Sequence, residues 1–216
     1  PFGHKAKSAH DMGREFRILN QLNSGFPYCP KAYAHCTDTG LIGGEFYVME
    51  RVKGIILRSD IPAELNLDAS RTEALCKSFI DRLVELHQVD YTACGLADLG
   101  KPEGYVQRQI EGWTSRYEKA LTPDAPRWET VTAWLHEKMP ADHPRPSIVH
   151  NDYRFDNVIL DADNPMRIIG VLDWEMATLG DPLMDLGNCL AYCCLLYTSD
   201  AADRIERCRS RWSPYH

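Results

Sequence analysis

The chain has 216 residues, room for one domain of ordinary size or one with two lobes, and too few for several. Charged residues make up 25% and hydrophobic ones 44%, the balance of a folded soluble protein and not of a disordered one. With 24 Lys and Arg against 31 Asp and Glu the net charge is -7, which disfavours nucleic-acid or anionic-membrane binding, since both need basic surface. No apolar run approaches the roughly 20 residues that cross a bilayer, and no basic-then-apolar leader opens the sequence. The eight cysteines are scattered. Cys29, His35 and Cys36 match no zinc spacing, so the thiols read as reduced and the protein as cytoplasmic. Pro1-Phe2-Gly3 lacks an initiator Met and reads as the inside of a loop, which makes the sequence look like a piece of a longer chain.

In chain order, Met12, Phe16, Leu19 and Leu22 recur at helical spacing between Ser8 and Asn23, with Glu15 among them, and Gly25 and Pro27 end that helix. Lys5 and Lys7 ahead of it read as a basic loop and not as phosphate contacts. Lys31 to Asp38 and Leu41 to Val52 are β-rich and predict paired strands joined at Thr39-Gly40. Ser70 and Glu73 form a capping-box pattern ahead of Leu75, Phe79, Leu83 and Leu86, a strongly periodic helix. A further helix follows Pro102, and another runs from about Pro126 to Met139 with Val131, Trp134 and Leu135 on its apolar face. Trp113, Tyr117 and Trp134 read as core or lobe packing, and His35, His87 and His136 as structural. From Ser147 short apolar strands alternate with polar turns, and Asp181-Pro182 opens a last helix.

Residues 193–216 stand apart. From Cys194 to Asp203 the sequence reads as an in-frame translation of a sequencing adaptor, and Cys208 to His216 as the far end of the same adaptor. That tail is expected to be non-native and to carry no function.

The chemistry concentrates in Ile148-Val149-His150-Asn151-Asp152-Tyr153-Arg154-Phe155-Asp156-Asn157 and in Ile168-Ile169-Gly170-Val171-Leu172-Asp173-Trp174-Glu175. Each half is an apolar strand with polar side chains at its end, and the second strand could pair with the first. The layout converges a carboxylate, an amide and a second carboxylate. Phosphoryl transfer needs that set, because one carboxylate must take the proton of the attacking hydroxyl while oxygen donors hold Mg²⁺. Kinase catalytic loops place their base and their Mg²⁺-binding Asn at this spacing. Asp152 is then the base, Asn157 and Asp173 the metal ligands, and Arg154 the residue that reaches the transferring phosphate. Glu175 is placed at the metal or as a brace of the loop. The competing account of these residues is that Asp and Asn merely make turns after strands.

These segments, with Gly180-Asp181-Pro182-Leu183-Met184-Asp185-Leu186, resemble the aminoglycoside/choline phosphotransferase family, and within it the branch that includes the phosphotransferase domain of some acyl-CoA dehydrogenases. The resemblance runs from Pro1 to Tyr192. It implies an α+β, protein-kinase-like fold of two lobes, truncated at both ends. Residues 1–55 would be a partial N-lobe with its hinge at 46–52, and residues 56–192 the C-lobe. It also implies ATP and Mg as cofactors and a small-molecule hydroxyl as acceptor. Glu15 matches the helix glutamate that pairs with a basic phosphate-binding residue. Backbone groups of Glu50 and Val52 would face adenine with Met49 nearby, His150 would brace the catalytic loop, and Asp185 would anchor it. In relatives the implied partner is a fused or associated acyl-CoA dehydrogenase. Two departures stand out: Asn151 replaces the family's glycine, and the glycine-rich nucleotide loop and Glu15's basic partner are absent.

The first reading is therefore an ATP-dependent, Mg²⁺-requiring kinase of a small-molecule hydroxyl, with the fragment itself inactive for want of its nucleotide loop. A catalytically silent kinase-like module that binds a ligand or partner is the alternative. Metal-dependent hydrolysis at the carboxylates is a third.

Overall fold

The computed structural model describes residues 11–58 and 62–196; Lys5, Lys7 and the tail from 197 lie outside the described residues. Helix α1 (Met12–Leu22) starts at Asp11, whose carboxylate accepts the Arg14 amide at 2.8 Å and satisfies one of the free donors of the first turn. Its buried face is Glu15, Ile18, Leu19 and Leu22, with Phe16 packed alongside. Strands β1 (Ala32–Cys36) and β2 (Phe46–Met49) pair antiparallel with a bulge between Ala32 and Ala34. Both are shorter than the sequence predicts, and the link between them spans 37–45 instead of a Thr39-Gly40 turn.

Helix α2 (Ala69–His87) buries Leu75, Phe79, Leu83 and Leu86, the predicted stripe. Its cap differs from prediction. Asp68, not Ser70, accepts the Arg71 amide at 2.8 Å, so the helix begins earlier and Ser70 falls inside it. Helices α3 (Tyr105–Ala120) and α4 (Glu129–Glu137) pack on each other, and α4 has no buried residue. Trp113 (53% exposed) and Trp134 (57%) are therefore not core, and Val131 and Leu135 lie open with them. This corrects the packing role predicted for these side chains.

Strand β3 (Ser147–Val149) pairs antiparallel with β6 (Thr178–Gly180), and β4 (Val158–Leu160) with β5 (Ile168–Val171). The strand that leads to Asp173 thus pairs with the strand after Asn157, and not with the one before His150. Helix α5 (Pro182–Leu196) follows β6, opened by the Asp181 carboxylate accepting the Leu183 amide at 2.9 Å. Ile55 joins β4 through paired backbone bonds with Leu160, and Gly54 beside it permits that approach, since a Cβ there would lie 2.3 Å from the Leu160 carbonyl oxygen. One continuous core runs through α1, α2, β4 and β5, closed by Phe26, Tyr153 and Trp174. Burying each Leu or Phe of it contributes about 1.5–3 kcal/mol, so the frame around the strand ends is rigid.

Candidate active site

The loop after β3 is held from several sides. Asp185, fully buried on α5, accepts the His150 amide through Oδ2 and the Asn151 amide through Oδ1, both at 2.7 Å. His87 at the end of α2 reaches the same Oδ2 at 3.0 Å. A buried carboxylate is costly unless its lone pairs are filled, and here they are. Asn151 adopts φ 65, a left-handed conformation that Asn tolerates better than most residues. Its side-chain oxygen accepts from the Tyr105 hydroxyl at 2.8 Å, its amide donates to the Met176 carbonyl at 3.0 Å, and Asn188 donates to its backbone carbonyl at 3.2 Å. Gly180 lets the Tyr105 ring in, since a Cβ there would lie 2.7 Å from it.

His150 is fully buried. Its Nδ1 accepts the Asp152 amide at 3.3 Å while Nε2 lies 2.9 Å from the Leu172 carbonyl, which fixes the neutral tautomer with its proton on Nε2. Burial lowers its pKa, against the raising effect of Asp185. His150 thus links the two halves of the site and points no proton at the cleft. Tyr153 pins the loop to α2 by donating to the Phe79 carbonyl at 2.9 Å, with Phe79 stacked 4.2 Å from Phe155.

On this frame the Asp152 carboxylate accepts from the Asn157 amide at 2.8 Å and meets Arg154 Nε at 3.3 Å. Asn157 also donates to the Asp152 carbonyl at 2.9 Å, so its nitrogen is committed and its side-chain oxygen is turned elsewhere. Arg154 sits 3.6 Å from Asp156 as well. Burial raises the Asp152 pKa above the ordinary carboxylate value, while Arg154 and Asn157 pull it back.

The second half docks through the Leu172 amide, which donates to the Asn157 carbonyl at 2.8 Å and seats Asp173 beside Asn157. Asp173 has φ 67, a strained geometry for a carboxylate residue that recurs at functional positions. Its negative charge is felt by both Glu15 and Asp152. Such a cluster of carboxylates repels itself until a cation neutralises it. Among the described residues no three His, Cys, Asp or Glu side chains form a metal cluster. Asn157 and Asp173 could offer an amide oxygen and a carboxylate, donors of the kind that a hard ion such as Mg²⁺ takes alongside waters and phosphate oxygens. Glu175 is placed differently. Arg14 from α1 donates to its backbone carbonyl at 2.8 Å and also to the Ala177 carbonyl, and Glu175 lines the cavity on the α3 side of the loop.

Glu15 is buried beside this segment, hydrogen-bonded to the Tyr47 side chain and to the Trp174 backbone, and burial raises its pKa. No basic partner reaches it among the described residues. At the hinge the Glu50 amide donates to the Lys31 carbonyl at 2.8 Å, while Met49 is exposed and Val52 lies against the β5 residue Gly170. Sequence reasoning missed Arg14, Tyr47, Tyr105 and Asn188. Each acts on a residue far away in the chain, and no local spacing announces that.

The cavity on the α3 side holds about 620 Å³ between Asn151 and Glu175 on one wall and Trp113 and Arg116 on the other. No helix among the described residues is long and apolar enough to cross a membrane.

Known proteins place this geometry. The chain is 39% identical over 194 residues to mouse acyl-CoA dehydrogenase family member 10, covering 89% of this chain and 18% of that protein. It is 36% identical to human acyl-CoA dehydrogenase family member 11, covering 87% and 24%. The chain thus spans about a fifth to a quarter of these relatives' length. Among solved structures, a Ralstonia eutropha protein named as an aminoglycoside phosphotransferase superposes with a TM-score of 0.74 at 36% identity, covering 89% of this chain and 56% of that one. An APH(2″) enzyme solved with GDP and kanamycin gives 0.61 at 20% identity, covering 86% and 64%, and shows the fold alone. The α+β architecture is accordingly the kinase-like fold of these phosphotransferases. With the profile of the phosphotransferase enzyme family, APH, matching residues 1–209, the chain belongs to that family.

Proposed function

We propose that the domain is an ATP-dependent, Mg²⁺-requiring phosphotransferase acting on the hydroxyl of a small molecule. The observation that carries this reading is the Asp152 carboxylate, held by Asn157 and Arg154 in a loop braced by His150, with Asp173 seated alongside. Asp152 takes the proton of the acceptor hydroxyl, and its raised pKa makes it a better base than a solvated carboxylate. Asn157 Oδ1 and Asp173 are the groups that would hold Mg²⁺, which when bound offsets phosphate charge. Arg154 adds a cation next to the base. Glu50 and Val52 offer the hinge backbone to the base of the nucleotide. Relatives from the acyl-CoA dehydrogenase families support a hydroxyacyl-type acceptor over an antibiotic.

A second reading, a module that binds without transferring phosphate, is favoured by one feature: among the described residues Glu15 is held by Tyr47 and by no basic side chain. Calorimetric titration of the intact protein with ATP, with and without Mg²⁺, separates the two. The phosphotransferase shows Mg²⁺-dependent affinity that Asp173→Ala abolishes. Asp152→Ala keeps that affinity and lowers turnover by roughly 10²–10⁴-fold. Absence of metal-dependent affinity in the unaltered protein favours the silent module, and equal loss of binding in both variants overturns the assigned roles.

A further inference from the structure

Arg116 has a different setting from the other cations of the site. Arg14 spends its guanidinium on the carbonyls of Glu175 and Ala177, and Arg154 faces Asp152 and Asp156. Arg116 lies over the Trp113 ring at 4.7 Å and meets no carboxylate within ion-pair distance among the described residues. Trp113 is half exposed on an otherwise amphipathic helix, at a cost in unburied apolar surface that a ligand would relieve. Both line the cavity that reaches the catalytic loop at Asn151. The acidic side chains on the same cavity belong to other walls. Asp11 is committed to capping α1, and Glu175 lies on the segment after β5. The cavity therefore has a cationic, aromatic wall on α3 facing a mixed wall that carries Asp11, Arg14, Glu175 and Asn151.

We infer that Trp113 and Arg116 form the acceptor-recognising subsite, so that the acceptor carries an anionic group held by Arg116 while its hydroxyl reaches the loop at Asn151 and Asp152. This rests on the phosphotransferase reading of that loop. A guanidinium stacked on an aromatic ring keeps its outward N–H groups for a carboxylate or phosphate and loses little freedom on binding one. The same wall repels polycations such as the kanamycin bound by one structural neighbour.

Two readouts test the subsite. The first needs no transfer: quenching of tryptophan fluorescence in the intact protein by ω-hydroxycarboxylates of graded length, without nucleotide, compared with the matching diols and amino alcohols. The hydroxycarboxylates should bind at least about tenfold tighter than the diols, and Arg116→Gln should erase that difference. Trp113→Phe should remove most of the signal. The second is KM in the Mg²⁺-ATP reaction, where Arg116→Gln should bring the hydroxycarboxylate up to the diol. Preference for the amino alcohol, no binding of any hydroxycarboxylate, or a preference that survives Arg116→Gln overturns the inference. Anion binding that depends on Arg116 with no phosphate transfer keeps the subsite and sinks the phosphotransferase reading instead.

Discussion

The loop after β3 and helix α3 lie on either side of one cavity, and the loop is built in the opposite way to α3 and the α4 packed on it. At the start of the loop the polar atoms have partners from distant elements: Asp185 from α5, Tyr105 from α3 and Leu172 just after β5 converge on His150 and Asn151, and His87 from α2 bonds Asp185 in turn. Across the cavity Trp113 stands half exposed, and beyond it Trp128 and Trp134 are half exposed too and α4 has no buried residue. The contrast teaches that chemistry is placed on over-determined backbone, whereas the wall that selects the acceptor is left under-determined and open.

The largest effect that sharpens this contrast should come from Asp185→Ala. It leaves the His150 and Asn151 amides and the His87 ring without their acceptor, at about 3 kcal/mol, and thermal unfolding should show Tm lower by roughly 6–12 °C. A Tm unchanged within error would break the comparison. Next is a pH effect. Burial raises the Asp152 pKa and Arg154 opposes that, so the free base is lost as pH falls, at a midpoint above that of an ordinary aspartate. In Arg154→Met the acid limb of kcat/KM should move to still higher pH; movement downward contradicts the pairing. The linkage runs the same way: the folded state holds the proton more tightly, so any stability owed to protonated Asp152 is lost as pH rises through its folded pKa. The smallest effect belongs to the open face. Trp134→Ser should change unfolding free energy by no more than about 0.5 kcal/mol in denaturant titration.

Much of this was legible in the amino-acid order. The closeness of Asp152 and Asn157 is legible in their spacing within one loop. The stripes of α1 and α2 are named by the helical period. What escaped was decided by competition or by distance. Asp68 takes the start of α2, two residues before the capping-box pattern at Ser70, by accepting the Arg71 amide. The strand before Asp173 pairs with β4 because the intervening turn is short, a choice that strand propensity does not encode. His87 looked merely structural because its partner lies 98 residues on, and Glu15 found Tyr47 across a strand pair. The period that correctly draws α4 says nothing about whether its apolar face meets a partner, and here it lies open.

One carboxylate sets an order of events during synthesis. Asp185 enters the growing chain 35 residues after the amide of His150 that it must accept. A ribosome-bound chain that ends between Asp173 and α5 already contains Asp152, Asn157 and Asp173, yet lacks the carboxylate that holds the His150 and Asn151 amides. The two amides after β3 therefore gain their acceptor only when the helix that follows has emerged and docked.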